Sequence, residues 1–244
     1  SQDNLFSQWQ QDDRSKLTLK QLLQMSSGLA FDEVYKPGKD ATRMLFTSQS
    51  ASDIALSSEL TMTPGEHFSY SSGTTNLLSR FIHKKLGDST QASVNFLYKE
   101  IFEPLGMRHS VFETDSSGIF VGSSYLYASG RDWAQLGLLM LNEGKVNDKQ
   151  LLAREWIVQA ISPNQSNNEK RYGFQFWLNA GGDSLRWPTL PKDAYAMLGN
   201  RKQSVMIIPS ENIVLIRLGW SKSRYPMESN FYNLLTQANS VNIQ

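Results

Sequence analysis

The apolar residues of this 244-residue chain change their period once. Over approximately 15–162 they recur at helical spacing, and over approximately 170–244 they gather in strand-length runs. Helices first and strands afterwards select an α+β fold: a mainly helical lobe, then the C-terminal strands and closing helix of a sheet lobe. Leu19, Leu22, Leu23 and Met25 predict the first helix, with Gly28 as its C-terminal cap. A helix over 52–59 has Ser52 or Asp53 to cap it. Another begins near Thr74 and carries Leu77, Leu78, Phe81, Ile82 and Leu86 to Gly87. Further helices are predicted over 91–102, 130–141 and 151–161, the second of them apolar on most sides and therefore buried. Residues 162–171 read as an exposed loop. Strands follow over 172–178, 204–208 and 213–218, with 209–212 as a hairpin turn, and Phe231, Leu234 and Leu235 suggest a closing helix.

Composition removes several function classes. A net charge of +1 and a pI near 7.8 give no basic face for nucleic acid. The chain has no cysteine, which excludes disulfides, a thiol nucleophile and thiolate metal sites. No apolar run reaches the roughly 20 residues that span a bilayer. No serine has glycine at both second neighbours, so the Gly-x-Ser-x-Gly nucleophile elbow is absent. Gly87-Asp88-Ser89 matches the short block of another esterase class, but no histidine follows His109 to serve it. There is no Gly-x-Gly-x-x-Gly or phosphate loop, and His67, His83 and His109 lack metal-ligand spacing. No cofactor and no metal are expected. His83, beside Lys84 and Lys85, reads as part of a solvated face.

Four blocks in order carry a resemblance. Leu17-Thr-Leu-Lys-Gln-Leu-Leu-Gln-Met-Ser-Ser-Gly-Leu29, then Pro64-Gly-Glu-His-Phe-Ser-Tyr70-Ser-Ser-Gly, then Tyr127-Ala-Ser-Gly-Arg-Asp-Trp-Ala-Gln-Leu-Gly137, are followed by Gly199-Asn-Arg-Lys-Gln203 leading into 205–219. Together they resemble the serine β-lactamase/penicillin-binding protein superfamily, in the class C-like branch of esterases and 6-aminohexanoate-dimer hydrolases. The resemblance implies a β-lactamase/transpeptidase-like fold and cleavage of a small-molecule amide or ester through an acyl-serine. In that family a Ser-x-x-Lys pair supplies nucleophile and base, a tyrosine relays the proton, and a strand amide helps hold the oxyanion.

Carried onto this sequence, Tyr70 is the catalytic tyrosine; with an ordinary pKa of about 10 it needs a nearby cation to act as a base near neutrality. Ser72 falls where β-lactamases carry the Asn of Tyr-x-Asn; its other reading is a helix N-cap. Gln203 supplies the oxyanion amide, and Asn200, Arg201 and Lys202 line the substrate, though they also read as plain solvated residues. Asn200 replaces the usual Lys or His, and Lys202 sits where the family has Gly.

No serine here has lysine three positions later. The family motif precedes the first block, so it is expected before Ser1, with residues 1–244 forming one partial domain whose front part is missing. On this reading the chain alone is inert. An exported, cell-envelope location follows from the resemblance, and the oligomeric state stays open. Two alternatives remain: a non-catalytic homologue that binds a cell-wall peptide or similar ligand, and a helical interaction module built on 130–141.

Overall fold

Thr18 opens the first helix with a capping box: its hydroxyl accepts from the Gln21 amide while the Gln21 side chain accepts from the Thr18 amide. The computed structural model containing this helix describes residues 5–241. Helix α1 (Leu19–Leu23) is shorter than its apolar spacing predicts. It ends in a Schellman motif closed by Met25 at φ 56°, with Ser26 N–H donating to the Gln21 carbonyl at 2.9 Å and Met25 N–H to Leu22 at 3.2 Å. Gly28 is therefore not the cap. It lies beyond the helix in an antiparallel pairing, where Thr61 and Met62 both donate to its carbonyl.

The chain divides into two units, the first running through Ala128 and adding Gln165–Lys170. Helices α2 (Asp40–Phe46), α3 (Asp53–Ser57), α4 (Ser72–Lys85) and α5 (Thr90–Leu97) follow α1. A π turn over Tyr98–Phe102 and the single turn α6 (Glu103–Leu105) interrupt the predicted 91–102 helix before Gly106 at φ 66° ends it. The two-stranded antiparallel sheet β1 (Ser110–Phe112) and β2 (Leu126–Ala128) completes the unit. Its core joins Phe6, Trp9, Leu17, Leu22, Leu29, Ala55, Leu56 and Leu77. Asp53 does not cap its own helix; its carboxylate accepts from the Ser50 amide instead. His83 corrects the solvated-face expectation: it is 5% exposed, with Nδ1 2.8 Å from the Ser93 hydroxyl. The α4 face that turns inward carries Asn76, Ser79 and His83 as well as Leu77, which hydropathy alone does not reveal.

The second unit runs over Ser129–Asn164 and from Arg171 onward. It holds α7 (Gly130–Leu141), the short pair β3 (Lys145–Val146) and β4 (Lys149–Gln150), α8 (Arg154–Ala160), and an antiparallel sheet. That sheet has strand order β5 (Trp177–Leu178), β6 (Tyr195–Leu198), β7 (Ser204–Ile208), β8 (Ile213–Arg217), and α9 (Met227–Val241) closes the unit. Helices α7 and α8 thus group with the sheet, although their periodicity resembles that of the helices before them. β7 is buried at all five positions because both its faces are covered. Val205 faces α7, where a β-carbon on Gly137 would lie 3.1 Å away, while Met206 and Ile208 join Phe231 and Leu235 of α9. The predicted 172–178 strand shrinks to two residues plus a bridge from Tyr172 to Trp177, since Gln175 at φ 66° turns the chain. Strand β6 is four residues long and no local pattern in the sequence predicts it.

Candidate active site

The block around Tyr70 is held from both sides within the first unit. Pro64-Gly65 turns the chain, Gly65 N–H donates to Ser26 at 2.8 Å, and Ser69 N–H donates to Met25 at 2.8 Å. On the other side Asn168 clamps Phe68, its Oδ1 accepting from Phe68 N–H at 2.8 Å and its Nδ2 donating to the Phe68 carbonyl at 2.9 Å. Helix α4 then begins, and its N-cap is Ser71, whose hydroxyl accepts from Thr74 N–H at 3.0 Å. Ser72 is the first helical residue rather than the cap. Its amide donates to Glu33 Oε2 at 2.7 Å and its hydroxyl to Glu33 Oε1 at 2.6 Å. Tyr35 donates its phenol to the same Oε1 at 3.0 Å.

Tyr70 stays 38% exposed beside this arrangement. Its pKa is pushed up to about 12, first by partial burial and then by the charges of Glu33 and Tyr35. Burial and the Glu33 and Tyr35 charges thus favour the neutral phenol. Glu33 is the residue that sequence reasoning missed: it lies 39 positions from Ser72, and nothing local announces the pairing.

Asn200, Arg201, Lys202 and Gln203 come together in one turn of the second unit. Arg201 and Lys202 adopt φ 58° and 70°, left-handed values unusual for side-chain-bearing residues. Arg217 holds the turn, donating from one guanidinium nitrogen to the carbonyls of Arg201 at 3.2 Å and Lys202 at 2.7 Å. The same guanidinium bonds the Ser221 hydroxyl and stacks 3.8 Å from the Tyr225 ring centroid. Asn200 Oδ1 accepts from Arg201 N–H at 2.9 Å, and the Arg201 guanidinium lies 5.1 Å from the Trp220 centroid. Gln203 N–H donates back to the Asn200 carbonyl at 3.3 Å. Asn200 and Arg201 thus spend contacts within the turn and its neighbours, while the Lys202 side chain is exposed. Among the described residues no group of three or more His, Cys, Asp or Glu could hold a metal ion, and no helix is long and apolar enough to cross a membrane.

Comparison with known proteins places these features in a family context. The beta-lactamase family model matches residues 5–236. A Bacillus anthracis protein provisionally described as a 6-aminohexanoate-dimer hydrolase superposes with a TM-score of 0.74 at 22% identity, covering 99% of this chain and 65% of that one. A penicillin-binding protein from Bacillus halodurans gives 0.62 at 16%, over 89% of this chain and 74% of its own. A family VIII carboxylesterase gives 0.65 at 10%, over 96% and 75%. At these identities the likeness establishes a β-lactamase/transpeptidase-like fold. An uncharacterized protein of Alkalihalophilus pseudofirmus is 30% identical over 98 residues, 38% of this chain and 29% of its own. The chain therefore spans less than two thirds of the Bacillus anthracis protein and of the Alkalihalophilus one.

Proposed function

We propose, given that this chain belongs to the beta-lactamase family, that it is part of a serine hydrolase cleaving a small-molecule amide or ester through an acyl-serine. The observation that carries this reading is Tyr70, 38% exposed just before α4 in a block held by hydrogen bonds from the Gly65, Phe68 and Ser69 amides. The nucleophile is a serine activated by a lysine three residues on, in sequence outside these 244 residues. The serine oxygen bonds to the substrate carbonyl carbon while its proton passes to the base. Tyr70 takes part as a neutral phenol, passing its proton to the leaving nitrogen or oxygen as that bond breaks and recovering one from the serine–lysine pair. Water then releases the acyl group by the same relay in reverse. Ser72 orients the start of α4. The Gln203 amide joins the oxyanion hole by exchanging its 3.3 Å bond to Asn200, already at the long end for N–H···O, for one to the oxyanion. Lys202 faces the substrate from the same turn. The penicillin-binding-protein likeness supports an exported, cell-envelope location for the full-length protein.

One observation favours a second reading, a non-catalytic homologue that binds a cell-wall peptide or similar small ligand. The 199–203 turn is closed on itself and carries a lysine where the family has glycine. Turnover of acyl esters and amides by full-length protein separates the two. The hydrolase reading expects Tyr70→Phe to lower kcat by about 100-fold or more, within the range for loss of a proton-transfer group. Unchanged turnover in that variant sinks the assignment of Tyr70, and binding without turnover in the wild type favours the binder.

A further inference from the structure

The segment preceding Glu33 is itself anchored. Ala30 N–H donates to the Glu59 carbonyl at 2.9 Å, Leu29 pairs with Leu60, and Asp32 N–H donates to Asp40 Oδ2 at 3.0 Å. From that base the segment meets the first turn of α4 at two successive points. Phe31 packs on Gly73 so closely that a β-carbon there would lie 2.5 Å from its ring. Glu33 engages Ser72 with both oxygens, at 2.6 and 2.7 Å. Charge-assisted bonds of this length are among the stronger ones in proteins. The carboxylate also sits at the positive end of a 14-residue helix, taking up an amide that no intrahelical carbonyl can serve.

We infer that Glu33 is a positioning residue of this site: by gripping Ser72 it fixes the first turn of α4 and, two residues back along the chain, the place of the Tyr70 phenol. The inference rests on the proposed role of Tyr70 for its catalytic consequence and on geometry alone for its structural one. Removing the carboxylate frees Ser72 and lets the Tyr70 main chain relax. Displacing a reacting group by about 1 Å can cost on the order of 100-fold in rate. Glutamine tests whether position or charge matters. Its carbonyl can still accept from Ser72 N–H, and its amide can donate to the Ser72 hydroxyl, which has lone pairs to spare.

The experiment compares Glu33→Ala, Glu33→Gln and wild type in the full-length protein. The measurements are kcat and KM for an acyl ester, and the ring-carbon NMR resonance of labelled Tyr70. Glu33→Ala is expected to lower kcat about 10- to 100-fold with KM within about 2-fold. Glu33→Gln should restore kcat to within about 5-fold of wild type, as its retained bonds to Ser72 imply. The Tyr70 resonance should move in Glu33→Ala and stay near its wild-type position in Glu33→Gln at neutral pH. Its alkaline titration should fall in both variants, since Glu33 and Tyr35 are the groups whose charge acts on that phenol. Wild-type kcat together with an unmoved Tyr70 resonance in Glu33→Ala overturns the inference. So does a Glu33→Gln variant that folds but is as impaired as alanine. If no substrate turns over in any form yet the resonance still moves in Glu33→Ala, the hydrolase reading fails while the positioning role stands.

Discussion

Replacing Gly28 by alanine should cost far more than the same change at Gly38, although both have nearly the same backbone angle. Gly28 has φ 76° and Gly38 φ 79°, so each alanine adopts a left-handed conformation that costs about 1–2 kcal/mol. Around Gly38 a new β-carbon meets nothing within 4 Å, and that conformational cost is the whole effect. At Gly28 it would lie 2.1 Å from the Met62 carbonyl oxygen and 2.9 Å from its carbon. The obstruction is main chain, so no side-chain rotation relieves it. Backing away strains the bonds from Thr61 and Met62 to Gly28 at 2.9 and 3.2 Å, and the Ala30 bond to Glu59 beside them. Losing two or three such bonds at about 1 kcal/mol each adds about 2–3 kcal/mol. At about 2–4 °C per kcal/mol for a protein of this size, the excess is on the order of 5–10 °C in Tm. Thermal and urea unfolding of both variants, with wild type alongside, measures it. Equal losses at the two glycines would refute the close approach of the 28–30 and 59–62 segments.

Asn179, 0% exposed, ties together its loop: Nδ2 donates to the carbonyls of Trp187, Leu190 and Pro191 and Oδ1 accepts from Trp187 N–H at 2.7 Å. Asn179→Ala strands those groups and should destabilise by about 3 kcal/mol or more in urea titrations. A β-carbon on Gly137 would sit 2.5 Å from Val214 Cγ1, so Gly137→Ala should destabilise by about 1 kcal/mol as overpacking outweighs its gain in helix propensity. Val214→Ala in the same background should recover part of that loss, which a double-mutant cycle reads directly. Burial, with the Asp193 charge as a lesser cause, raises the Tyr195 pKa, and Tyr70 is pushed up to about 12. Folding therefore favours both neutral phenols. That contribution is fully present below about pH 10 and is lost as pH rises through the folded values, because the unfolded chain releases those protons first. Urea midpoints should stay flat with respect to these groups up to pH 10 and fall above it, less steeply in Tyr195→Phe.

Much of the fold is legible locally. Ser204–Ile208 reads as a strand and is one. The 130–141 segment reads as a buried helix and is a helix, but only Asp132, Gly137, Leu139 and Met140 go inside while Leu138 is 37% exposed. Its many apolar residues therefore do not make it buried on most sides. Gly87 ends α4 as expected, in a left-handed conformation at φ 82°. Where tertiary packing overrides periodicity, the reading slips. Met25 takes the left-handed position that glycine usually fills, and β6 is only four residues long, paired on both sides rather than marked by its own pattern. His83 looks solvated beside two lysines, yet Ser93 supplies the partner that lets it go inside. Tyr70 and Ser72 stand out as candidates through their block. Glu33 does not, because a carboxylate bonded to a residue 39 positions away leaves no spacing signal.

The central claim is an acyl-serine chemistry in which Tyr70 takes part, and the site of covalent labelling tests it most directly. Full-length protein treated with a fluorophosphonate, then digested and analysed by tandem mass spectrometry, should carry one adduct on a serine followed three residues later by lysine. The rate of labelling should fall in Tyr70→Phe. An unlabelled protein, or an adduct on a serine without that lysine, would contradict the account.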